Sequence, residues 1–98
     1  MKTVLIIEDD QALRENTAEI LELSHYKVIT ASNGLIGVAM AKKHVPDIIL
    51  CDIMMPKLDG YQVLNKLSNY RRTKYIPFVF LSVKGQIQDI RKGMNLGA

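Results

Sequence analysis

The sequence predicts an α/β fold, a parallel sheet with helices on both faces. Two patterns predict it. Short, continuously apolar runs recur four times, each followed by a longer segment with apolar residues at helical spacing. Glycine, proline or asparagine breaks the chain between them. Strands buried on both faces read as unbroken apolar runs, and alternation with helices at this spacing makes the sheet parallel. Right-handed crossovers then fix most of the connectivity.

In chain order, Thr3 to Ile7 is the first predicted strand, ending in Glu8-Asp9-Asp10. Leu13, Thr17, Ile20, Leu21 and Ser24 give the first helical face, with Arg14, Glu15, Glu19 and Glu22 on its polar side; Asp9 or Asp10 can cap it. Lys27 to Ala31 is a second strand, and Asn33-Gly34 turns the chain into a helix running to about Lys43. Gly34, Gly37, Val38 and Ala41 give that helix a small-residue face able to lie close to the sheet, and Pro46 stops it. Asp47 to Asp52 is the third strand, followed by a loop carrying Pro56, Asp59 and Gly60. Val63, Leu64, Leu67 and Tyr70 line a third helix, Phe78 to Leu81 form a fourth strand ending in Ser82, and Ile87, Ile90, Met94 and Gly97 line a fourth helix.

Composition narrows the function classes. The chain has 98 residues, the size of one small domain, and 48% apolar residues, enough for a core. No apolar run approaches the ~20 residues of a membrane span. The start lacks the apolar region of a signal peptide. One cysteine, Cys51, cannot form an internal disulfide, so the expected compartment is the reducing cytoplasm. Net charge is +3, from 13 Lys+Arg against 10 Asp+Glu. The basic residues fall in separated groups, Lys42-Lys43, Arg71-Arg72 with Lys74, and Arg91-Lys92, which read as solvated helix ends; no direct nucleic-acid binding is expected.

The chemistry gathers where parallel strands end. Glu8, Asp9, Asp52 and Ser82 all stand at the carboxyl ends of predicted strands, the edge where open α/β sheets bind ligands. Clustered carboxylates repel one another unless a cation compensates. Mg²⁺ prefers hard oxygen ligands and keeps several waters. Asp9 and Asp52 can bind it directly, Glu8 through water, and the Met54 backbone carbonyl can complete the protein's share. A carboxylate is also a competent phosphoryl acceptor, which makes Asp52 the candidate nucleophile and Ser82 a hydroxyl donor to a phosphoryl oxygen. Asp10 is read as a cap alone. Cys51 alternates with Asp52 and so points to the opposite face, into the core. His25 and His44 have no partner at ligand spacing. Gly34-x-x-Gly37 lacks the third glycine of a dinucleotide fingerprint.

The runs Val4–Asp10 and Pro46–Pro56, with Asp59-Gly60, Phe80-Leu81-Ser82 and Gly93–Ala98, resemble the response-regulator receiver domains of two-component signalling. The resemblance covers the whole chain and implies a flavodoxin-like, doubly wound sheet of strand order 2-1-3-4. It implies Mg²⁺ as cofactor and a sensor histidine kinase or phosphotransfer protein as partner, with Asp52 as stoichiometric phosphoacceptor rather than an enzyme's turnover centre. Slow self-dephosphorylation would be tuned by Met54 and Lys84. Val83 stands where the family usually carries alanine. The family continues past a Gly-Ala pair into a fifth strand bearing a lysine and then a fifth helix, so residues 1–98 are expected to be a receiver domain incomplete at its C-terminus. If ~5 apolar side chains lose cover at ~1.5–3 kcal/mol each, the deficit is on the order of 10 kcal/mol. Self-association through the edge left by the missing strand would then be one remedy. The competing readings are a phosphorylation-incompetent interaction module and a Mg²⁺-dependent aspartyl-phosphate phosphohydrolase. The second would want an acid two residues after the nucleophile, where this chain has Met54.

Overall fold

The computed structural model describes residues 1–81. The expectations for Ser82, Val83, Lys84 and the fourth helix lie outside the described residues. Within them the chain forms β1 (Thr3–Ile7), α1 (Gln11–Leu23), β2 (Lys27–Ala31), α2 (Gly34–His44), β3 (Ile48–Asp52), α3 (Gly60–Ser68) and β4 (Phe78–Leu81). The four strands make one parallel sheet of order β2-β1-β3-β4, as expected. No helix among the described residues is long and apolar enough to cross a membrane.

Strand alternation divides the core. Leu5, Ile7, Ile49, Cys51, Phe78 and Phe80 point to one face and pack with Ala41 of α2 and Val63, Leu64 and Leu67 of α3. Edge-on aromatic contacts join Phe80 to Tyr61 and to Phe78, with centroids 4.9 and 5.2 Å apart. The opposite face carries Val4, Ile6 and Val79, all buried, and α1 packs against β1 and β2. This helix buries none of its own side chains completely; Ile20 and Leu23 remain 64% and 74% exposed. Its 3.6-residue pattern is real, yet the described residues cover only part of its apolar stripe.

Two boundaries differ from the sequence reading. β3 starts at Ile48, because Asp47 is used as a clasp: its N–H donates to the Thr3 carbonyl (2.8 Å) and its carboxylate accepts from the Thr3 N–H (2.7 Å). Tyr70 lies beyond the Asn69 cap of α3, in the turn leading to β4. Between α2 and β3 the chain reverses through Val45, whose left-handed φ of 45° is costly for a β-branched residue. Its N–H closes the helix on the Ala41 carbonyl (2.9 Å), and Pro46 is buried behind it.

The small-residue face of α2 does lie close to its neighbours. A Cβ on Gly37 would meet the Ile7 side chain at 2.5 Å, and one on Gly34 would meet the Leu58 carbonyl oxygen at 2.5 Å. Gly60 is tighter still in consequence, since a Cβ there would stand 2.5 Å from the Asp52 carbonyl oxygen and 3.0 Å from the Ile53 Cα, both backbone atoms. Its N–H donates to the Ile53 carbonyl (2.9 Å), tying the start of α3 to the end of β3. Gly60→Ala should therefore destabilise the fold by ~1–3 kcal/mol despite alanine's better helix propensity, read as a lowered urea midpoint with unchanged m-value.

Candidate functional site

The strand order reverses between β1 and β3: the chain leaves β1 toward β2 on one side and returns to β3 on the other. Ligands of such sheets bind at this crevice, outside the carboxyl ends of the strands. β1 and β3 are in direct register there, with Ile7 beside Cys51. Glu8 and Asp52 each follow by one residue and so project to the same side, while Cys51 goes into the opposite core, as its alternation predicted.

The result is a cluster. Glu8, Asp9 and Asp52 each offer a carboxylate oxygen, and these oxygens lie within 4.8 Å of one another. Glu8 and Asp52 are buried, at 5% exposure each, whereas Asp9 faces solvent. Asp52 Oδ1 is buried and accepts no hydrogen bond among the described residues. An orphaned buried carboxylate oxygen is costly and calls for a partner. Three hard oxygen donors, one of them unsatisfied, match the preference of Mg²⁺, so the residues present fit that ion.

Several bonds hold the β1–α1 loop in place. The Glu8 N–H donates to the Ala31 carbonyl of β2 (3.1 Å). The Arg14 guanidinium reaches back and donates to the Glu8 carbonyl (2.9 Å). The Asp10 N–H donates to Glu8 Oε2 (3.1 Å), and the Asp10 carboxylate caps α1 by accepting from Leu13 N–H (3.1 Å). Asp10 is thus the cap expected, and it also steers Glu8 through its backbone. Arg14 escaped the sequence reading: periodicity places it on the polar face of α1, and nothing in the spacing says that its side chain returns six residues to the loop. On the far side of the crevice, Asp59 caps α3 in a reciprocal box with Gln62, both bonds at 2.9 Å. Asp59 is scaffold there. Met54 is 65% exposed beside the cluster, and Ser82 is outside the described residues.

Burial makes these acids reluctant to ionise. The Glu8 carboxyl is pushed up from 4.5 to about 7, chiefly by desolvation and further by the Asp52 charge, against a lowering contribution from the Asp10 N–H. Asp52 is also raised by burial, while the Glu8 carboxyl and the backbone N–H groups of Ile53 and Met54 pull it back. Both carboxyls therefore hold their protons more tightly than free acids do when no cation compensates. Burial raises the Cys51 thiol well above its ordinary value, which leaves it an inert core residue donating to the Asp52 carbonyl (3.2 Å).

Comparison with known proteins agrees with this geometry. The family model for the response regulator receiver domain matches residues 4–98. The chain belongs to the response regulator receiver domain family. Among curated relatives, it is 41% identical over 98 residues to the DNA-binding dual master transcriptional regulator RpaA of Synechocystis, covering 100% of this chain and 41% of that protein. It is 35% identical to protein PilH of Pseudomonas aeruginosa, covering 100% of this chain and 81% of that one. The chain therefore spans about two-fifths of the length of RpaA. Among solved structures, chemotaxis protein CheY4 of Vibrio cholerae aligns with TM-score 0.87 at 27% identity, over 100% of this chain and 82% of that one. A response regulator from Chloroflexus aurantiacus aligns with TM-score 0.84 at 30% identity, over 99% and 80%. Receiver domains are signalling phosphoacceptors that bind Mg²⁺ at an acidic pocket, and the flavodoxin-like order 2-1-3-4 is theirs.

The raised carboxyl values have a sign that can be checked. A folded-state value above the unfolded one means the folded chain keeps a proton that the unfolded chain has released, between about pH 4.5 and about 7. Stability of the metal-free chain should then fall as pH rises through that window, with the Asp52 shift acting in the same direction. Thermal melts from about pH 5 to about pH 8 should show it. Glu8→Gln should flatten the profile, and Mg²⁺ should raise the melting temperature more at the alkaline end, where the carboxylates are bare.

Proposed function

We propose that this chain is a phosphoryl-accepting switch, with Asp52 the acceptor and a phosphohistidine of a sensor kinase or phosphotransfer protein the donor. The observation that carries this reading is the buried, unsatisfied Asp52 Oδ1 inside the Glu8–Asp9–Asp52 cluster. Asp9 and Asp52 would hold Mg²⁺ directly, Glu8 through water, and the Met54 carbonyl would supply a further oxygen. Bound there, the ion would neutralise charge on the acids and on the incoming phosphoryl oxygens.

In the transfer, an Asp52 carboxylate oxygen attacks phosphorus, the P–N bond breaks, and the imidazole leaves and takes up a proton. Asp52 must be ionised to attack. The neighbouring Glu8 carboxyl serves that end, since it lowers the proton affinity that burial gives Asp52. Asp9, exposed at the mouth, is the acid first met by an entering ion or phosphate. The Asp10 and Arg14 bonds keep Glu8 and Asp9 oriented while charge in the crevice changes. Ser82, one residue beyond β4, would donate its hydroxyl to a phosphoryl oxygen. The acyl phosphate formed is a stoichiometric product with slow self-hydrolysis, and a buried free thiol in Cys51 suits a cytoplasmic setting.

Incubation with Mg²⁺ and acetyl phosphate followed by intact mass measurement tests the reading. One phosphoryl adduct should form, and it should vanish with Asp52→Asn or with chelation. Asp9→Asn should raise the Mg²⁺ concentration needed by at least 10-fold, because it removes a direct ligand. Absence of any adduct would mark an interaction module instead, and many turnovers of phosphate release would mark a hydrolase.

A further inference from the structure

The sheet has a second charged edge, opposite the acidic one. Residues 34–46 and 60–81 contain no aspartate or glutamate, yet they carry Lys42, Lys43, Lys66, Arg71, Arg72 and Lys74 together with His44. Two of the groups that are separate in sequence adjoin among the described residues. Lys42 of the last turn of α2 lies over the ring of Tyr70, 4.7 Å from its centroid, and so joins α2 to the turn after α3. That turn is compact: Thr73 and Lys74 N–H both donate to the Tyr70 carbonyl (3.0 Å), and the buried Thr73 hydroxyl donates to the Leu67 carbonyl (2.7 Å). Ile49 N–H donates to the Pro77 carbonyl (3.0 Å), which fixes the turn at the amino-terminal edge of the sheet.

Part of this charge has a local reason. Lys42, Lys43 and Lys66 stand in the last turns of α2 and α3, where cations offset the helix dipole. Arg71, Arg72 and Lys74 lie beyond the Asn69 cap of α3 and have no such reason. All three are exposed, and none pairs with an acid among the described residues. Asp47, at the amino-terminal end of β3, is engaged with the Thr3 N–H. Tyr75 beside them is 85% exposed, with Lys74 Nζ 5.0 Å from its ring centroid.

We propose that this surface binds the phosphate backbone of a nucleic acid without regard to sequence. A protein partner of comparable affinity would want a desolvated apolar anchor. Here Ala41, Leu64 and Leu67 of the adjoining helix turns are buried in the core, and the exposed Tyr75 stands among cations rather than in an apolar patch. Phosphate backbones need only an array of exposed cations, helped by an exposed aromatic ring. The sequence reading took the basic groups as separate solvated helix ends; the Lys42–Tyr70 contact places the end of α2 beside the turn that carries Arg71, Arg72 and Lys74. Arg71, Arg72 and Lys74 supply the contacts specific to this role, with the helix-end lysines adding to the field.

Fluorescence anisotropy with the full chain and a labelled mixed-sequence duplex tests the proposal. Binding should have Kd of ~10⁻⁴–10⁻⁶ M near physiological salt and should not change when the duplex sequence is scrambled. Arg71→Ala/Arg72→Ala/Lys74→Ala should weaken it at least 10-fold and make the slope of log K against log salt shallower by about 3, near 0.9 for each lost phosphate contact. The same variant should still take one phosphoryl group from acetyl phosphate, which shows that it is folded and that the acidic edge is intact. No duplex binding at low salt would overturn the proposal, as would an unchanged slope in the triple variant. So would displacement of the duplex by a polyglutamate peptide of equal charge at equal concentration, which would assign the surface to an acidic protein.

Discussion

Three carboxylates whose oxygens lie within 4.8 Å, two of them buried, cannot all be charged without compensation. Much else in this structure follows from that conflict. The sheet creates it, because parallel strands of order 2-1-3-4 bring the ends of β1 and β3 side by side. The conflict has two resolutions, a proton retained on a buried carboxyl or a cation among the three. Which applies depends on pH and on metal. On the function proposed above, the crevice would be protonated in one state and open to an anionic phosphoryl group in the other.

The scaffold keeps the acids from relaxing apart. Gly60 lets α3 begin against the backbone of Asp52, and the Asp59–Gln62 box holds that helix start. Gly34 and Gly37 let α2 settle on Leu58 and Ile7, which fixes the far side of β1. The Arg14 guanidinium and the Asp10 N–H then pin the loop above. Each contact is small. Together they prevent the simplest escape from the repulsion, a swing of Glu8 into water.

The sheet was legible because its strands are buried on both faces. Val4–Ile7 and Phe78–Leu81 are continuous apolar runs that only a covered parallel strand explains, and the acidic end of the first followed from polarity alone. Asp52, Glu8 and Asp9 could be assembled from sequence for the same reason. What sequence could not supply are interactions between residues that periodicity treats as unrelated. Arg14 has the position of a solvated helix residue and the behaviour of a loop brace. Asp47 has the position of a strand residue and serves as a clasp on Thr3. Tyr70 continues the apolar spacing of α3 but leaves the helix to sit under Lys42. α1 shows the converse: its pattern is amphipathic, yet Ile20 and Leu23 remain in solvent.

The two edges of the sheet carry opposite charge for related reasons. Helix amino ends and strand carboxyl ends share one edge, so Asp10 and Asp59 cap α1 and α3 beside the acidic cluster. Helix carboxyl ends share the other, which favours Lys42, Lys43 and Lys66 there. Dipole complementarity thus builds a weak polarity into any fold of this type. The acid cluster exceeds it at one edge, and Arg71, Arg72 and Lys74 exceed it at the other. An excess beyond what the helices need is what distinguishes a surface with a partner from a surface that merely completes its own backbone. At the acidic edge the three oxygens fit a cation, and on the function proposed above a phosphoryl group as well. By the same physical criterion, the partner proposed for the basic edge is an anion.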